Sequence, residues 1–192
     1  MEGLKTNTVI ITGRPGSGKG TQGKMLAESQ GWIHFSTGEQ FRMLREEENG
    51  LGALVRSVYD TGKLLPDWFA TYLFERAILN IGLDAGIVCE GYPRSVNQAK
   101  EFNEITSWLT RPYVVLDLMV SDEEVTARML KRNETDARPD SATEEQIKVR
   151  LREYHAHTAP VLDYFREQGQ LKEIDGTGTP EEVRDAIRAA LA

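Results

Sequence analysis

The segment from Gly13 to Thr21 constrains the fold of this chain more than any other. It has the sequence Gly-Arg-Pro-Gly-Ser-Gly-Lys-Gly-Thr, follows the apolar run Val9–Ile11 and precedes a helix-like segment. Its glycines let the backbone turn tightly and direct several N–H groups to one point. Lys19 adds a cation there, and the N-terminus of the following helix adds partial positive charge. A strand, such a turn and a helix in this order are typical of a site for the phosphates of a nucleotide.

The spacing of the lysine and the hydroxyl in this loop is unusual. The strict pattern has Ser or Thr directly after the lysine, whereas here Gly20 intervenes and the hydroxyl comes at Thr21. A glycine-rich turn with no ligand would need neither the lysine nor the hydroxyl. The sequence therefore predicts a phosphate-binding loop that contains Gly16, Ser17, Gly18, Lys19, Gly20 and Thr21.

Short apolar runs alternate with helical segments along the rest of the chain. The candidate strands are Thr8–Thr12, Trp32–Phe35, Gly86–Glu90, Tyr113–Val120 and Leu171–Ile174. They contain few charges, as expected of strands buried on both faces. The alternation predicts a three-layer α/β fold, with a central parallel sheet of about five strands flanked by helices. Capping patterns predict helix starts at Thr37, Ser95, Ser121, Ser141 and Thr179.

Length and charge limit the classes of partner. The 192 residues fit one domain, and the net charge of −7 argues against a nucleic-acid polymer or an anionic membrane as the main partner. No apolar run approaches the roughly 20 residues of a membrane span, and the N-terminus lacks a secretory pattern. The single cysteine, Cys89, lies in an apolar run and is expected to be a core thiol. We expect a cytoplasmic protein.

The arginines of this acidic chain are placed as a phosphate-binding set would be. Arg128 and Arg132 are four residues apart and share one face of a predicted helix. Arg138 follows in a polar loop, and Arg150 lies in the next helix. Singly, any of these is more often a surface residue in a salt bridge. Together with the loop and with Arg42 and Arg94, they predict bidentate recognition of phosphate oxygens.

These pieces resemble the adenylate kinases over nearly the full length of the chain. The phosphate loop with its inserted Gly20 is similar to that family's own version. Ser36–Arg42 and Gly62–Pro66 resemble the two ends of its monophosphate-binding lobe, and Glu90–Ser95 with Gln98 resembles its central signature. The lid segment is matched by Arg132, Arg138, Asp140, Arg150 and Leu151, and the helix after it by Tyr154, Thr158 and Pro160. The resemblance implies a single phosphate-loop kinase domain, residues 1–192. An inserted lobe near residues 36–66 is called the acceptor lobe below, and a short segment near residues 131–141 is called the lid.

The resemblance also implies an activity and a role for each matching residue. The activity is transfer of the terminal phosphoryl group of MgATP to AMP, giving two ADP, by a monomer. ATP would be bound by Gly16, Ser17, Gly18, Lys19, Gly20, Thr21, Arg128, Arg132 and Gly178. AMP would be bound by Thr37, Arg42, Lys63, Leu64, Leu65, Gly91, Tyr92, Pro93, Arg94, Gln98, Arg138 and Arg150. The residues expected to act on the transferred group are Lys19, Arg94, Arg132, Arg138 and Arg150.

Two features bear on metal use. Glu39 and Glu90 stand where the family has aspartates that orient water on Mg²⁺, and Mg²⁺ demands near-ideal octahedral geometry. An additional methylene at both positions is either tolerated or alters magnesium dependence and rate. The lid contains no cysteine, so the resemblance implies no zinc of the kind that some long-lid relatives bind through thiolates.

The identity of the acceptor depends on Thr37 and Gln98. In the family these residue types accompany AMP, and a glutamine amide can both donate to and accept from the edge of adenine. Both residues also fit capping patterns, so a purely structural role stays open. The alternatives are a UMP/CMP kinase of the same fold, or a nucleotide-binding regulator in which Glu39 and Glu90 have weakened transfer.

Overall fold

The computed structural model describes residues 6–192. Within that range the strands are β1 (Thr8–Gly13), β2 (Ile33–Ser36), β3 (Ile87–Glu90), β4 (Tyr113–Met119) and β5 (Leu171–Asp175). The helices are α1 (Lys19–Gln30), α2 (Thr37–Arg45), α3 (Gly50–Tyr59), α4 (Asp67–Leu79), α5 (Val96–Trp108), α6 (Asp122–Asn133), α7 (Glu144–Glu153), α8 (Ala159–Glu167) and α9 (Pro180–Leu191). A π-helical turn at Tyr154–Thr158 joins α7 to α8.

The five strands form one parallel sheet in the order β2-β3-β1-β4-β5. The predicted fold is confirmed, and each strand boundary lies within one residue of its predicted position. β1 alternates between the two faces: Ile10 packs into one apolar cluster with Phe74 and Phe102, and Val9 and Ile11 pack into the other. Burial on both faces explains why these runs read as continuously apolar.

The carboxyl ends of β1, β3 and β4 meet at one edge of the sheet. From β1 the chain crosses to β2 on one side of the sheet, and from β3 it crosses back past β1 to β4. Connections that leave the adjacent strands β1 and β3 in opposite directions open a crevice at this edge, which is where ligands bind in open parallel sheets. The loop after β1, Glu90 at the end of β3 and the start of α6 all lie there.

Helix starts agree with the predictions where the contacts are local. Ser95, Ser121 and Thr179 cap α5, α6 and α9. Two predicted caps are wrong, because Ser36 caps α2 and Thr143 caps α7. The Thr37 hydroxyl instead donates to the Gly91 carbonyl at 2.7 Å, and the buried Ser141 hydroxyl accepts from Arg132 at 2.7 Å. Distant partners therefore take both hydroxyls away from the helix ends. No helix in the described part of the chain is long and apolar enough to cross a bilayer.

Candidate active site

A cleft of about 430 Å³ opens at the carboxyl edge of the sheet, a volume in the range of small-molecule sites. Its walls come from the phosphate loop, the acceptor lobe, the turn after β3, α6, the lid and α7. Most of the residues predicted from sequence to form a site line this cleft: Gly16, Gly18, Lys19, Gly20, Thr21, Glu39, Arg42, Lys63, Leu64, Leu65, Glu90, Gly91, Tyr92, Pro93, Arg94, Gln98, Arg128, Arg132, Arg138 and Arg150. Three do not line it: Ser17, Thr37 and Gly178.

Lys19 is held by the loop that precedes it. Its Nζ donates to the carbonyls of Gly13 at 2.8 Å and Arg14 at 2.6 Å. Burial lowers the pKa of Lys19 to about 7, although the charge of Glu90 opposes this shift. Helix α1 begins at Lys19, and among the described residues no side chain caps its first turn. The N–H groups of this first turn and the lysine therefore lie at one place, an arrangement that suits an anion.

Arg94 and Arg132 are half-buried, and no carboxylate of residues 6–192 is ion-paired to them. Arg94 Nε donates to the Gly91 carbonyl at 2.8 Å, and Arg132 Nη2 donates to Ser141. Burial lowers the pKa of both guanidinium groups, and the charge of Arg150 lowers both further. Arg132 Nε is buried with no hydrogen-bond partner among the described residues. Cations that repel one another in a low-dielectric cleft are stabilised when an anion lies between them.

Three further arginines of the predicted set, Arg42, Arg138 and Arg150, also line the cleft, and each lies near a polar side chain. Arg150 is ion-paired to Asp140 at 2.7 Å, and Arg42 Nη1 donates to the Tyr59 hydroxyl at 3.2 Å. Arg138 Nε lies 3.7 Å from a carboxylate oxygen of Asp136.

Arg128 lies at the end of the cleft nearest the loop after β5. It pairs with Glu124 at 2.8 Å and donates to the carbonyls of Gly176 at 2.9 Å and Thr177 at 3.3 Å. These contacts bring the loop that contains Gly178 beside the cleft, although Gly178 itself does not line it.

Gln98 and Thr37 differ in how they reach the cleft. Gln98 lines it, with its Oε1 accepting from the Arg94 N–H at 2.7 Å and its Nε2 donating to Asp67 at 3.0 Å. Asp67 also accepts from Ser95 at 2.6 Å, so the orientation of the Gln98 amide is fixed. Thr37 is buried and reaches the cleft only through the carbonyl of Gly91.

Glu90 and Glu39 have different surroundings. Glu90 Oε1 accepts from Ser36 at 2.9 Å, while Oε2 is buried with no hydrogen-bond partner in the described chain. A Cβ added to Gly20 would lie 3.0 Å from Oε2, which places this oxygen against the first turn of α1. A free, buried carboxylate oxygen beside the phosphate loop fits a magnesium-bound water.

Glu39 also lines the cleft, but its carboxylate is already paired with Lys24 at 2.7 Å. Burial alone would raise the pKa of Glu39, and the hydrogen bond and charge of Lys24 hold that pKa below its usual value. Glu39 is therefore less available to a metal-bound water than Glu90. No three His, Cys, Asp or Glu side chains in the described part of the chain form a cluster that could hold a metal ion by themselves.

Sequence reasoning missed several groups that shape the cleft. Tyr59 and Asp67 orient Arg42 and Gln98, and no local pattern marks them. Asp117 is different, because a carboxylate in an apolar buried strand is a visible signal. Its pKa is raised by burial, a shift that the charge of Lys19 opposes, and its Oδ1 has no hydrogen-bond partner within residues 6–192. Asp117 adds a second negative charge below the loop.

The chain is similar in sequence to known proteins over most of its length. A family model described as adenylate kinase matches residues 11–170, from β1 to the residue before β5. The chain is 38% identical over 184 residues to an adenylate kinase of Maricaulis maris, covering 95% of this chain and 97% of the relative. It is 36% identical over 185 residues to one of Clavibacter michiganensis, covering 96% and 92%. It is 35% identical over 185 residues to adenylate kinase isoenzyme 5 of Mus musculus, covering 95% of this chain and 32% of that protein.

Proposed function

The chain belongs to the adenylate kinase family, whose activity is phosphoryl transfer between ATP and AMP, and we propose that its cleft performs this transfer by in-line displacement, giving two ADP. The observation that carries the proposal is the convergence of five cationic side chains on one cleft beside the phosphate loop: Lys19, Arg94, Arg132, Arg138 and Arg150. Phosphoryl transfer needs two anions brought together and the charge on the transferring oxygens neutralised. The attacking phosphate oxygen of AMP is already anionic, so the reaction needs no side-chain base.

We assign the phosphate loop and α6 to ATP. The N–H groups at the start of α1 and Lys19 would bind the donor phosphates, and Lys19 would leave the carbonyls of Gly13 and Arg14 to do so. Arg132 Nε, which has no hydrogen-bond partner among residues 6–192, would donate to a phosphate oxygen. Arg128 is held against the loop that precedes α9, which supports placing the nucleoside of ATP near Gly178.

We assign the acceptor lobe and the turn after β3 to AMP. Arg42 and Arg94 would bind its phosphate, and the backbone of Lys63, Leu64 and Leu65 would line its base. The fixed amide of Gln98 leaves one N–H and one lone pair for the base, which suits the amino group and ring nitrogen of adenine. Thr37 would act through Gly91, Tyr92 and Pro93, because its hydroxyl orients the Gly91 carbonyl that Arg94 also uses.

Arg138 and Arg150 would neutralise charge on the transferred group from the lid side. We propose that the lid and the acceptor lobe move relative to the sheet, because closing them would exclude water as a competing acceptor. One chain supplies every group assigned above, which supports a monomer. The need for a supply of ATP supports a cytoplasmic enzyme.

Magnesium, bound with ATP, would supply positive charge that lowers the cost of the donor phosphate charge in the transition state. Glu90 is the better placed carboxylate to orient a metal-bound water, because its Oε2 lies beside Gly20 and has no hydrogen-bond partner in the described part of the chain. Glu39 could do so only after leaving Lys24.

The test is an assay of ADP formation from MgATP, with AMP, CMP, UMP and GMP supplied separately. We expect rapid ADP formation with AMP and little with the other three. A preference for CMP or UMP would transfer the assignment to pyrimidine acceptors. Binding of ATP without transfer to any acceptor would favour a regulator, and steady ATP consumption without an acceptor would favour a hydrolase.

A further inference from the structure

The lid and α7 touch the end of the acceptor lobe along a contact that we call the seam. On the lobe side it contains Asp60, Gly62 and Leu64, and on the other side Pro139, Gln146 and Glu153. The Leu64 N–H donates to Glu153 at 3.3 Å. A Cβ added to Gly62 would lie 3.0 Å from the Gln146 carbonyl oxygen, so the two backbones are in close approach.

The side-chain amide of Gln146 joins the three segments of the seam. Its Oε1 accepts from the Thr143 N–H at 2.9 Å, which completes the capping box of α7. Its Nε2 donates to the Asp60 carbonyl at 2.7 Å and to the Pro139 carbonyl at 2.9 Å. Both hydrogens of the amide nitrogen are therefore used, one on the acceptor lobe and one on the lid.

The segments that Gln146 joins are those that present Arg138 and Arg150. Pro139 lies between Arg138 and Asp140, and Asp140 is ion-paired to Arg150. Gln146 and Arg150 are four residues apart on α7 and share one face. A displacement of α7 from Asp60 would thus move both arginines away from the acceptor lobe.

We propose that Gln146 is a positioning residue, which fixes the lid and α7 against the acceptor lobe so that Arg138 and Arg150 face the acceptor. The proposal deepens the function proposed above and rests on it. Gln146 touches neither nucleotide in this arrangement of the cleft, since it does not line it. It acts by stabilising the arrangement in which the lobe and the lid meet.

A role in capping alone is the competing explanation, and the two roles use different atoms. Gln146→Glu keeps an oxygen that can accept from Thr143 but removes both N–H donors. Gln146→Met removes all polar atoms at similar length without adding charge. Thr143→Ala removes the capping hydroxyl and leaves the amide nitrogen of Gln146 intact. The loss of two net hydrogen bonds predicts a rise of about tenfold in KM for AMP and for ATP in both Gln146 variants.

The maximal rate is expected to change much less than KM, because bound nucleotides themselves join the lobe and the lid. Thr143→Ala should leave KM for both substrates within about twofold of the parent, as expected for a cap that affects only helix stability. Far-UV circular dichroism and urea unfolding would verify that each variant is folded. Equal rises in KM for Thr143→Ala and Gln146→Met would assign Gln146 to capping and overturn the proposal.

A second readout does not depend on catalysis. Cys89 is fully buried, so cysteines introduced at the exposed positions Leu54 in α3 and Lys148 in α7 can be labelled selectively with a donor and an acceptor dye. We expect energy transfer in the nucleotide-free protein to fall in Gln146→Glu and Gln146→Met and to stay at the parent value in Thr143→Ala. Unchanged transfer in both Gln146 variants would overturn the proposal. An inactive parent would overturn the proposed function instead, and the dye measurement would still test the seam.

Discussion

The phosphate loop and the seam lie on two sides of one cleft, but different kinds of contact hold them in place. In the loop, the Ser17 N–H donates to the Arg14 carbonyl at 3.1 Å and Lys19 donates to Gly13 and Arg14, so all partners lie within a few residues. In the seam, Gln146 bonds Asp60 across 86 residues of sequence. A substitution in the loop should therefore alter the rate of phosphoryl transfer or the local backbone strain. A substitution in the seam should instead alter the fraction of molecules in which the acceptor lobe contacts the lid and α7.

The largest effect that would test this difference is expected from Lys19→Met. It removes a positive charge aimed at the developing charge of the transferred phosphoryl group, and losses of such groups cost about 100- to 1000-fold in rate. Steady-state ADP formation from MgATP and AMP would measure it. Lys100→Met, at an exposed position of α5, is the matched control and should retain the parent rate. Turnover of Lys19→Met near that of the control would remove Lys19 from the mechanism.

Two alanine substitutions in the loop separate strain from crowding. Gly16 and Gly18 both have φ near +90°, at 86° and 96°, where a non-glycine residue costs about 1–2 kcal/mol. A Cβ at Gly16 would also lie 2.9 Å from Met129 Cγ and from the Val125 carbonyl oxygen, whereas a Cβ at Gly18 would meet no atom of the described residues within 4 Å. We expect Gly16→Ala to lower the free energy of unfolding by about 3 kcal/mol and Gly18→Ala by about 1 kcal/mol.

Urea unfolding of the two variants would measure this difference. Equal losses would mean that α6 moves away without cost, and the loop would then be less rigid than its contacts indicate. A larger loss for Gly18→Ala would contradict the assignment of crowding to Gly16.

The same contrast explains how much the sequence predicts. The sheet and the loop follow from local patterns, because apolar runs and glycine positions act over a few residues. The sequence also groups Arg94, Arg132 and Arg150 into one predicted phosphate-binding set, and all three line the cleft. The Thr37 and Ser141 caps are wrong because the partners of these hydroxyls, Gly91 and Arg132, lie 54 and 9 residues away in sequence, outside the helix start that each hydroxyl was predicted to cap. Nothing local marks the two donors of Gln146, since the pattern Thr143-x-x-Gln146 shows only its capping half.

The burial of Lys19 in the phosphate loop predicts that the stability of the protein depends on pH. Burial lowers the pKa of Lys19 from its usual value of 10.5 to about 7 in the folded protein. Between these two pH values the unfolded chain holds a proton on Lys19 that the folded chain lacks. The free energy of unfolding of the parent therefore rises as pH rises from about 7 toward 10.5, and this gain is lost again as pH falls toward about 7. Lys19→Met lacks this dependence. The free energy of unfolding of Lys19→Met minus that of the parent should therefore be largest near pH 6.5 and should fall toward about pH 9.5.

Urea unfolding of the parent, Lys19→Met and Lys100→Met at both pH values would measure this trend. Lys100→Met is the control for the loss of one lysine charge at an exposed position. If the difference in free energy of unfolding between the parent and Lys19→Met does not change with pH, Lys19 is charged and well solvated in the folded protein. Its burial then does not destabilise the loop.

The smallest effect is expected at Thr37, which lies in the acceptor lobe but is held, like the seam, by a distant partner. Its hydroxyl shares the Gly91 carbonyl with Arg94 Nε, at 2.7 and 2.8 Å. Thr37→Ala leaves the Gly91 carbonyl with Arg94 as its donor, so this acceptor stays satisfied. The expected cost is that of one net hydrogen bond, which corresponds to a rise of about two- to tenfold in KM for AMP. Since the Gly91 turn also orients Arg94, which binds any monophosphate, only a part of this loss should be specific to AMP over CMP and UMP.

Thr37→Ser keeps the hydroxyl and should keep the parent ratio of kcat/KM among the three acceptors. A ratio that stays at the parent value in Thr37→Ala as well would mean that Thr37 only fixes the turn, and that the choice of base depends on Gln98 and on the Asp67 carboxylate that orients it.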